Sequence, residues 1–167
     1  ISCSLVGSEM CIRDRYEFAQ KTGAPVIGLV DCAGMRLQEA TDALNGFGQV
    51  YMAQAMASGV IPQITAIFGT CGGGMALIPA LTDFTFMEEK KGKLFVNSPN
   101  ALDGNISSKC DTAAAEFQSE ETGLVDVVGS EADILAQIRQ LVGMLPSNNE
   151  DEAYTDCTDN LNRACPD

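Results

Sequence analysis

The chain has 167 residues, a formal net charge of −13, 46% hydrophobic residues and no histidine. This length can bury one sizeable core, which predicts a single domain. The negative charge argues against binding to nucleic acid or to an anionic membrane surface. The lack of histidine excludes a Ser-His-Asp or Cys-His catalytic unit built within this chain.

The seven cysteines are an odd number and include no C-x-x-C pair. They therefore indicate neither a disulfide framework nor a zinc site, and we expect no metal. Reduced thiols in the cytoplasm are the simplest interpretation. Without an imidazole to generate a thiolate, we expect Cys32 and Cys71 to be small buried residues rather than nucleophiles. No apolar run reaches the roughly 18–20 residues that a membrane span needs.

Residues 1–15 look like translated adapter sequence from the end of an assembled contig, so we predict a non-native leader and a missing native N-terminus. Residues 16–22 follow as the last turns of a helix, which Gly23 closes as a C-cap. The continuous apolar run 26–30 then predicts a central parallel strand. The strand leads into a loop with Gly34 at its tip.

A long helix is predicted from Leu37 to Ser58. Apolar residues recur along it at helical spacing, which predicts its buried face. That face consists of Leu37, Ala40, Leu44, Phe47, Tyr51 and Ala55. Gly46 and Gly48 weaken such a helix by about 1 kcal/mol each, so we expect close packing around them.

The β-branched run 61–68 predicts a second buried strand, which leads into a glycine-rich turn at residues 69–74. An apolar helix follows, and Pro79 must keep it short. Each glycine costs about 1 kcal/mol in a helix. Close approach of backbone N–H groups to an anion at the helix start is one reason to keep glycines there. A tight turn packed against a neighbouring backbone is the other.

Two familiar anion-binding loops are excluded at this turn. A phosphate-binding loop needs Lys-[Ser/Thr] where the chain has Met75 and Ala76. A dinucleotide-binding fingerprint needs a glycine at Leu77.

The remaining pattern predicts further alternation of strands and helices. We expect strands at 83–88, 94–96 and 124–128, helices at 112–122 and after Ser130, and an acidic linker or tail at 147–167. Alternating strands and helices indicate an α/β protein with a parallel sheet. Ligands bind at the carboxyl ends of such strands, so residues 33–35 and 72–74 are expected to face one crevice.

Three motifs in order carry a family resemblance. Residues 31–39 read DCAGMRLQE against a family pattern D-S-G-G-A-R-x-Q-E, and residues 57–64 read ASGVIPQI against A-S-G-x-I-P-Q-I. Residues 69–84 read GTCGGGMALIPALTDF against G-P-C-A-G-G-A-x-x-x-P-A-L-T-D-F. The chain resembles the carboxyltransferase subunits of biotin-dependent acyl-CoA carboxylases and decarboxylases, of the propionyl-CoA carboxylase β type, over about residues 23–163.

The resemblance implies an N-terminally truncated crotonase (ClpP-like) fold, a repeated ββα superhelix, with the carboxyltransferase N-terminal domain at 16–146. It implies transfer of a carboxyl group between biotin and the α carbon of an acyl-CoA. Biotin would be bound to a carrier protein. The partners implied are a C-terminal carboxyltransferase half, the biotin carboxyl carrier protein, biotin carboxylase as a further candidate, and other copies of the subunit. Half of the active site belongs to another domain, so we expect the fragment alone to be inactive.

The resemblance also implies which residues form the site. The backbone N–H groups of Gly73 and Gly74 are the expected oxyanion-hole donors for the thioester enolate. The expected substrate-binding residues are Ala33, Gly34, Met35, Arg36, Cys71 and Gly72. Arg36 is expected either to pair with a CoA phosphate or carboxylate, or to form an ion pair with a nearby acid. Departures from the family pattern at Cys32, Ala33, Met35, Thr70 and Gly72 leave the identity of the acyl group open.

Two other functions remain possible from sequence. An enoyl-CoA hydratase or isomerase of the same superfamily needs one or two carboxylates over the substrate, and Glu39 is the only acid close to either loop. The chain could also be a non-catalytic half that serves in assembly. Neither the acyl class (propionyl/methylmalonyl or acetyl/malonyl) nor the direction of the reaction follows from the sequence.

Overall fold

The computed structural model describes residues 5–34, 40–98 and 111–151. Helices and strands alternate along the chain, as the sequence pattern predicts. A short 3₁₀-helix spans Gly73–Ala76. The other elements are α1 (Leu5–Thr22), β1 (Val26–Cys32), α2 (Ala40–Ala57), β2 (Gln63–Gly72), α3 (Leu77–Ala80), β3 (Phe84–Glu88), β4 (Lys93–Phe95), α4 (Ala115–Glu120), β5 (Val127–Gly129) and α5 (Glu131–Met144).

The strands form one parallel sheet in the order β1-β2-β3-β5. Strand β4 pairs in parallel with the far end of β2, at Thr70–Gly72. Parallel neighbours need crossover connections, which the helices between the strands supply. The predicted α/β class is therefore confirmed, and the carboxyl ends of β1, β2 and β3 share one edge of the sheet.

Alternate residues of β2 serve two cores on opposite faces of the sheet. On one face, Ile67 packs with Phe47 and Val50 of α2. On the other, Ile64 and Ala66 pack with buried residues of α5. The predicted core face of α5 is confirmed at Ile134, Ile138, Leu141, Val142 and Leu145, but Leu135 is exposed. The Ser130 side chain caps α5 by accepting the Asp133 N–H, as predicted.

The predicted buried face of α2 is partly wrong. Phe47 is buried and Tyr51 half-buried, but Leu44 is 57% exposed and Ala55 is exposed. The structure instead buries Gln54, whose amide donates to the Ile78 carbonyl at 3.3 Å. The prediction counted only apolar residues and therefore placed the buried face of α2 on the wrong side of Gln54. The Gln54 amide nitrogen is hydrogen-bonded, whereas its buried side-chain oxygen has no hydrogen-bond partner. The buried residues of α2 are Ala43, Gly46, Phe47, Val50, Gln54 and Ala57.

The close packing predicted at the two α2 glycines is wrong for Gly48 and stays a prediction for Gly46, which also lines an apolar cavity. Gly46 is buried. Gly48 is exposed, and no atom lies within 4 Å of the place where its Cβ would be. Leu37 and the remainder of the predicted helix start lie outside the described residues.

Helix α1 crosses the predicted boundary at residue 15. Ile12 packs against the apolar residues around α2, and the Arg13 guanidinium donates to Gln49 at 3.3 Å. At the other predicted boundary, the Asn148 amide donates to the Gly23 carbonyl at 3.1 Å. The division into a leader, a domain and a tail stays a prediction.

At a bulge in β1, the side chain of Asp31 connects the ends of β1 and β2. The pairing register of the two strands shifts between Val30 and Cys32. This shift places the Asp31 carboxylate where it accepts the Thr70 N–H at 2.9 Å. A Cβ on Gly69 would collide with the same carboxylate. Glycine at 69 is therefore required for the carboxylate to reach the backbone of β2.

Replacing Gly69 with alanine should break this contact. Because the carboxylate would have to leave the Thr70 N–H, we expect Gly69→Ala to lower the free energy of unfolding by about 0.5–1.5 kcal/mol. Gly48→Ala is the matched control and should stabilise α2 by up to about 1 kcal/mol, since its Cβ meets nothing. Urea unfolding followed by circular dichroism measures both. Equal stability of Gly69→Ala and the wild type would contradict the packing described.

Candidate active site

The glycine turn begins later than the sequence pattern predicts. Strand β2 continues to Gly72 instead of ending at Phe68, because β4 pairs with its last three residues. Gly73 then opens the 3₁₀-helix with φ of +62°, a left-handed conformation that favours glycine. The four-residue helix α3 follows, and its shortness agrees with the prediction from Pro79.

The two loops meet at the carboxyl edge of the sheet. A Cβ on Gly34 would lie 3.2 Å from the Gly72 carbonyl oxygen, and a Cβ on Gly72 would lie 2.8 Å from the Ala33 carbonyl oxygen. A Cβ on Gly73 would lie 3.7 Å from the Gly34 Cα. The structure thus brings Ala33 and Gly34 against Gly72 and Gly73, as the strand order predicts. Met35 and Arg36 lie outside the described residues, as does Glu39.

Backbone N–H groups are the chemistry that this turn offers. The first N–H groups of a helix have no partner within that helix, and Gly73 and Gly74 occupy these positions. Both residues are half-buried. A pair of such donors can stabilise an oxygen that gains negative charge, provided that their directions are fixed.

Two buried cysteine thiols form hydrogen bonds with backbone carbonyl groups of the two loops. Cys71 is fully buried, and its thiol donates to the Met75 carbonyl at 3.3 Å. Burial raises the pKa of Cys71 to about 12, with a smaller contribution from Cys32. The Cys32 thiol donates to the Gly34 carbonyl at 3.5 Å. The predicted role of both as small buried residues is confirmed. Of the two, Cys71 can reach a substrate only through its backbone.

Tyr51 contacts the turn from α2, and sequence reasoning assigned it only to the core. Its hydroxyl donates to the Gly74 carbonyl at 2.5 Å. Burial raises the pKa of Tyr51, and proximity to Cys71 raises it further. The feature that could have indicated this contact is the polar hydroxyl of Tyr51 on a helix face that is otherwise apolar, because a buried hydroxyl needs a hydrogen-bond partner.

A carboxylate at the end of β3 was also missed. Glu88 is buried and accepts the N–H groups of Lys90, at 2.9 Å, and of Lys91. These bonds hold the pKa of Glu88 below its usual range, and the bond from the Lys91 N–H has the largest effect. Glu88 is therefore ionised and engaged by its own turn, which does not suit a proton donor.

A separate apolar cavity of about 760 Å³ lies between α1, β1 and α2. Its walls include Val30, Phe47 and Met75, with Tyr16 and Gln54 among its polar groups. The glycines of the turn are not among its walls. The cavity is therefore not the candidate oxyanion site.

Within the described ranges, no three His, Cys, Asp or Glu side chains are grouped as a metal site would need. No helix in these same parts of the chain has the length and apolar character to cross a membrane.

Comparison with known proteins gives consistent matches. The family model "carboxyl transferase domain" matches residues 6–167. The methylmalonyl-CoA decarboxylase subunit alpha of Veillonella parvula is 41% identical over 139 residues, which cover 81% of the chain and 27% of the relative. The propionyl-CoA carboxylase beta chain of Roseobacter denitrificans is 37% identical over 141 residues, which cover 81% of the chain and 28% of the relative.

A solved structure gives the same result. Transcarboxylase 12S, with methylmalonyl-coenzyme A and methylmalonic acid bound, matches with a TM-score of 0.82 and 32% identity. The match covers 89% of the chain and 30% of that structure. The chain thus spans less than a third of the length of each of these three proteins.

The buried thiol of Cys71 should be inert. At about pH 8, we expect iodoacetamide to label exposed Cys11 readily and to leave Cys71 unlabelled until the chain is unfolded, because only the thiolate reacts. Mass spectrometry of the two tryptic peptides measures the labelling. Comparable labelling rates for Cys71 and Cys11 in the folded chain would contradict the burial and pKa given above.

Proposed function

The chain belongs to the carboxyl transferase domain family, and we propose that it forms the acyl-CoA-binding half of a biotin-dependent carboxyltransferase. The predicted family and the crotonase-type α/β fold are confirmed by the family match and the structural neighbours. The single observation that carries the proposal is the contact of Gly34 with Gly72 and Gly73, which sets a glycine turn at the carboxyl edge of the sheet.

The mechanism uses the backbone of that turn. Removing a proton or CO₂ from the α carbon of an acyl thioester places negative charge on the thioester oxygen. The N–H groups of Gly73 and Gly74 are proposed to donate to this oxygen, and each such donor is typically worth about 3–4 kcal/mol. When bound, biotin on its carrier protein supplies or accepts the carboxyl group. We assign no biotin-binding residue within the described chain.

The substrate wall is proposed from the same contact. Ala33, Gly34 and Gly72 would line the thioester, and Cys71 would contribute only its backbone. Met35 and Arg36 keep the substrate-binding roles that the resemblance implies. Because the matched relatives are named for methylmalonyl-CoA and propionyl-CoA, we propose this acyl class, with acetyl/malonyl-CoA as the alternative.

The proposed active site needs groups from other proteins or domains, because this chain would form only its acyl-CoA-binding half. We propose that a C-terminal carboxyltransferase half, a biotin carboxyl carrier protein and, in a carboxylase, biotin carboxylase complete the enzyme. The transcarboxylase 12S neighbour is described as a hexamer assembly, which supports a homo-oligomer here. We propose a cytoplasmic location and a division of the chain at residues 15 and 146.

The hydratase or isomerase alternative gains no support from the described carboxylates at this edge. Asp31 and Glu88 both accept backbone N–H groups, and Asp111 is paired with Lys93 of β4, so each carboxylate already holds a neighbouring group. A hydratase needs a carboxylate free to exchange protons with the substrate.

The function is tested on the full-length subunit assembled with its partner domain. Malonyl-CoA or methylmalonyl-CoA is supplied with free biotin or biocytin, and loss of the CoA-ester carboxylate is followed. We expect biotin-dependent loss, with the preferred ester naming the substrate. Hydration of crotonyl-CoA without carboxyl loss would place the protein with the hydratases. CoA-ester binding with neither activity would indicate a non-catalytic partner subunit.

The oxyanion assignment is tested by a matched pair of variants. Gly74→Pro removes one proposed donor, whereas Gly74→Ala keeps it. Both add a Cβ that meets the Phe47 ring at 3.0 Å, and proline is tolerated near a helix start. We expect kcat of Gly74→Pro to be about 10²–10³-fold below that of Gly74→Ala. Similar kcat values in two folded variants would remove Gly74 from the site.

A further inference from the structure

A turn of three consecutive glycines is flexible, yet an oxyanion site works only when its donors are fixed before the charge develops. Contacts from outside the turn must therefore hold it. Helix α2 supplies two of them from Phe47 and Tyr51, which lie one helical turn apart and both face Gly74. The two rings are stacked, with centroids 5.9 Å apart and an interplanar angle of 19°.

The Gly74 carbonyl is held by two donors. The Tyr51 hydroxyl donates to it at 2.5 Å, and the Leu77 N–H at the end of the 3₁₀-helix donates to the same oxygen. Both lone pairs of the carbonyl are then used, which fixes the peptide plane between Gly74 and Met75. The Gly74 N–H lies in the preceding peptide plane, which is joined to the fixed plane through the Gly74 Cα, so restraint at that Cα limits its direction as well. The Phe47 ring lies where a Cβ of Gly74 would be crowded at 3.0 Å, so it limits the position of the Gly74 Cα.

We propose that Tyr51 is a positioning residue: its hydroxyl, supported by the stacked Phe47 ring, tethers Gly74 and keeps the N–H groups of Gly73 and Gly74 directed at the thioester oxygen. The expected effect on catalysis rests on the proposed function, whereas the hydrogen bond from Tyr51 to the Gly74 carbonyl does not. Because burial raises the pKa of Tyr51, the hydroxyl keeps its proton and remains a donor throughout the neutral range.

Tyr51→Phe in the full-length assembled enzyme removes the hydroxyl and keeps the stacked ring. We expect kcat to fall about tenfold, with KM within about twofold, because a loosened donor is lost mainly in the transition state. Tyr16→Phe is the matched control. Tyr16 is also buried, but it packs with Ala57 and Ile61 in a different cluster, and its hydroxyl contacts the Gln54 side chain rather than the glycine turn. Its kcat should stay within about twofold of the wild type.

A Tyr51→Phe enzyme with kcat within twofold of the wild type would overturn the proposal. Equal losses in Tyr51→Phe and Tyr16→Phe would overturn it as well, since they would reflect general loosening of α2.

Amide hydrogen exchange on the same three proteins tests the tether without using activity. We expect the peptide covering residues 70–76 to exchange about tenfold faster in Tyr51→Phe and to be unchanged in Tyr16→Phe. If the wild type shows no biotin-dependent turnover, the proposed function fails and this measurement still decides the tether. Unchanged exchange in Tyr51→Phe would overturn the proposal whatever the activity.

Discussion

The close contact between the carboxyl ends of β1 and β2 determines where the glycine turn lies and which groups it exposes. Gly34 lies against the Gly72 carbonyl, and Gly72 lies against the Ala33 carbonyl. A Cβ would be crowded at Gly34 and would collide at Gly72. Two backbones can approach this closely only where side chains are absent. The approach gives the site its chemistry, because the groups that remain at the crevice are peptide N–H and C=O groups.

Neighbouring elements hold this contact from three directions. The Asp31 carboxylate bonds the Thr70 N–H across the β1 bulge. The buried Cys71 thiol bonds the Met75 carbonyl from inside the core, and Tyr51 bonds the Gly74 carbonyl from α2. Each of these three side chains belongs to a strand or helix. Their hydrogen bonds therefore restrain a glycine-rich segment that would be flexible by itself. Such rigidity is what electrostatic stabilisation of an enolate requires.

Strand and helix positions could be predicted because hydrophobic periodicity and caps report local structure. The meeting of the two loops could also be predicted, since parallel strands place their carboxyl ends together. Three features could not. The extension of β2 to Gly72 depends on pairing with β4, which is distant in sequence. The burial of Gln54 depends on a carbonyl of another element, and the tether at Tyr51 depends on a hydroxyl that helical periodicity treats as part of an apolar face.

Polarisation of a bound thioester by the backbone N–H groups of the glycine turn can be measured by vibrational difference spectroscopy. The ligand is propionyl-CoA, ¹³C-labelled at the thioester carbonyl and bound to the full-length assembled enzyme. We expect the carbonyl stretching frequency to be lower in the complex than in water, because the two N–H donors withdraw electron density from the C=O bond. A bound thioester whose frequency equals or exceeds that in water would contradict this polarisation.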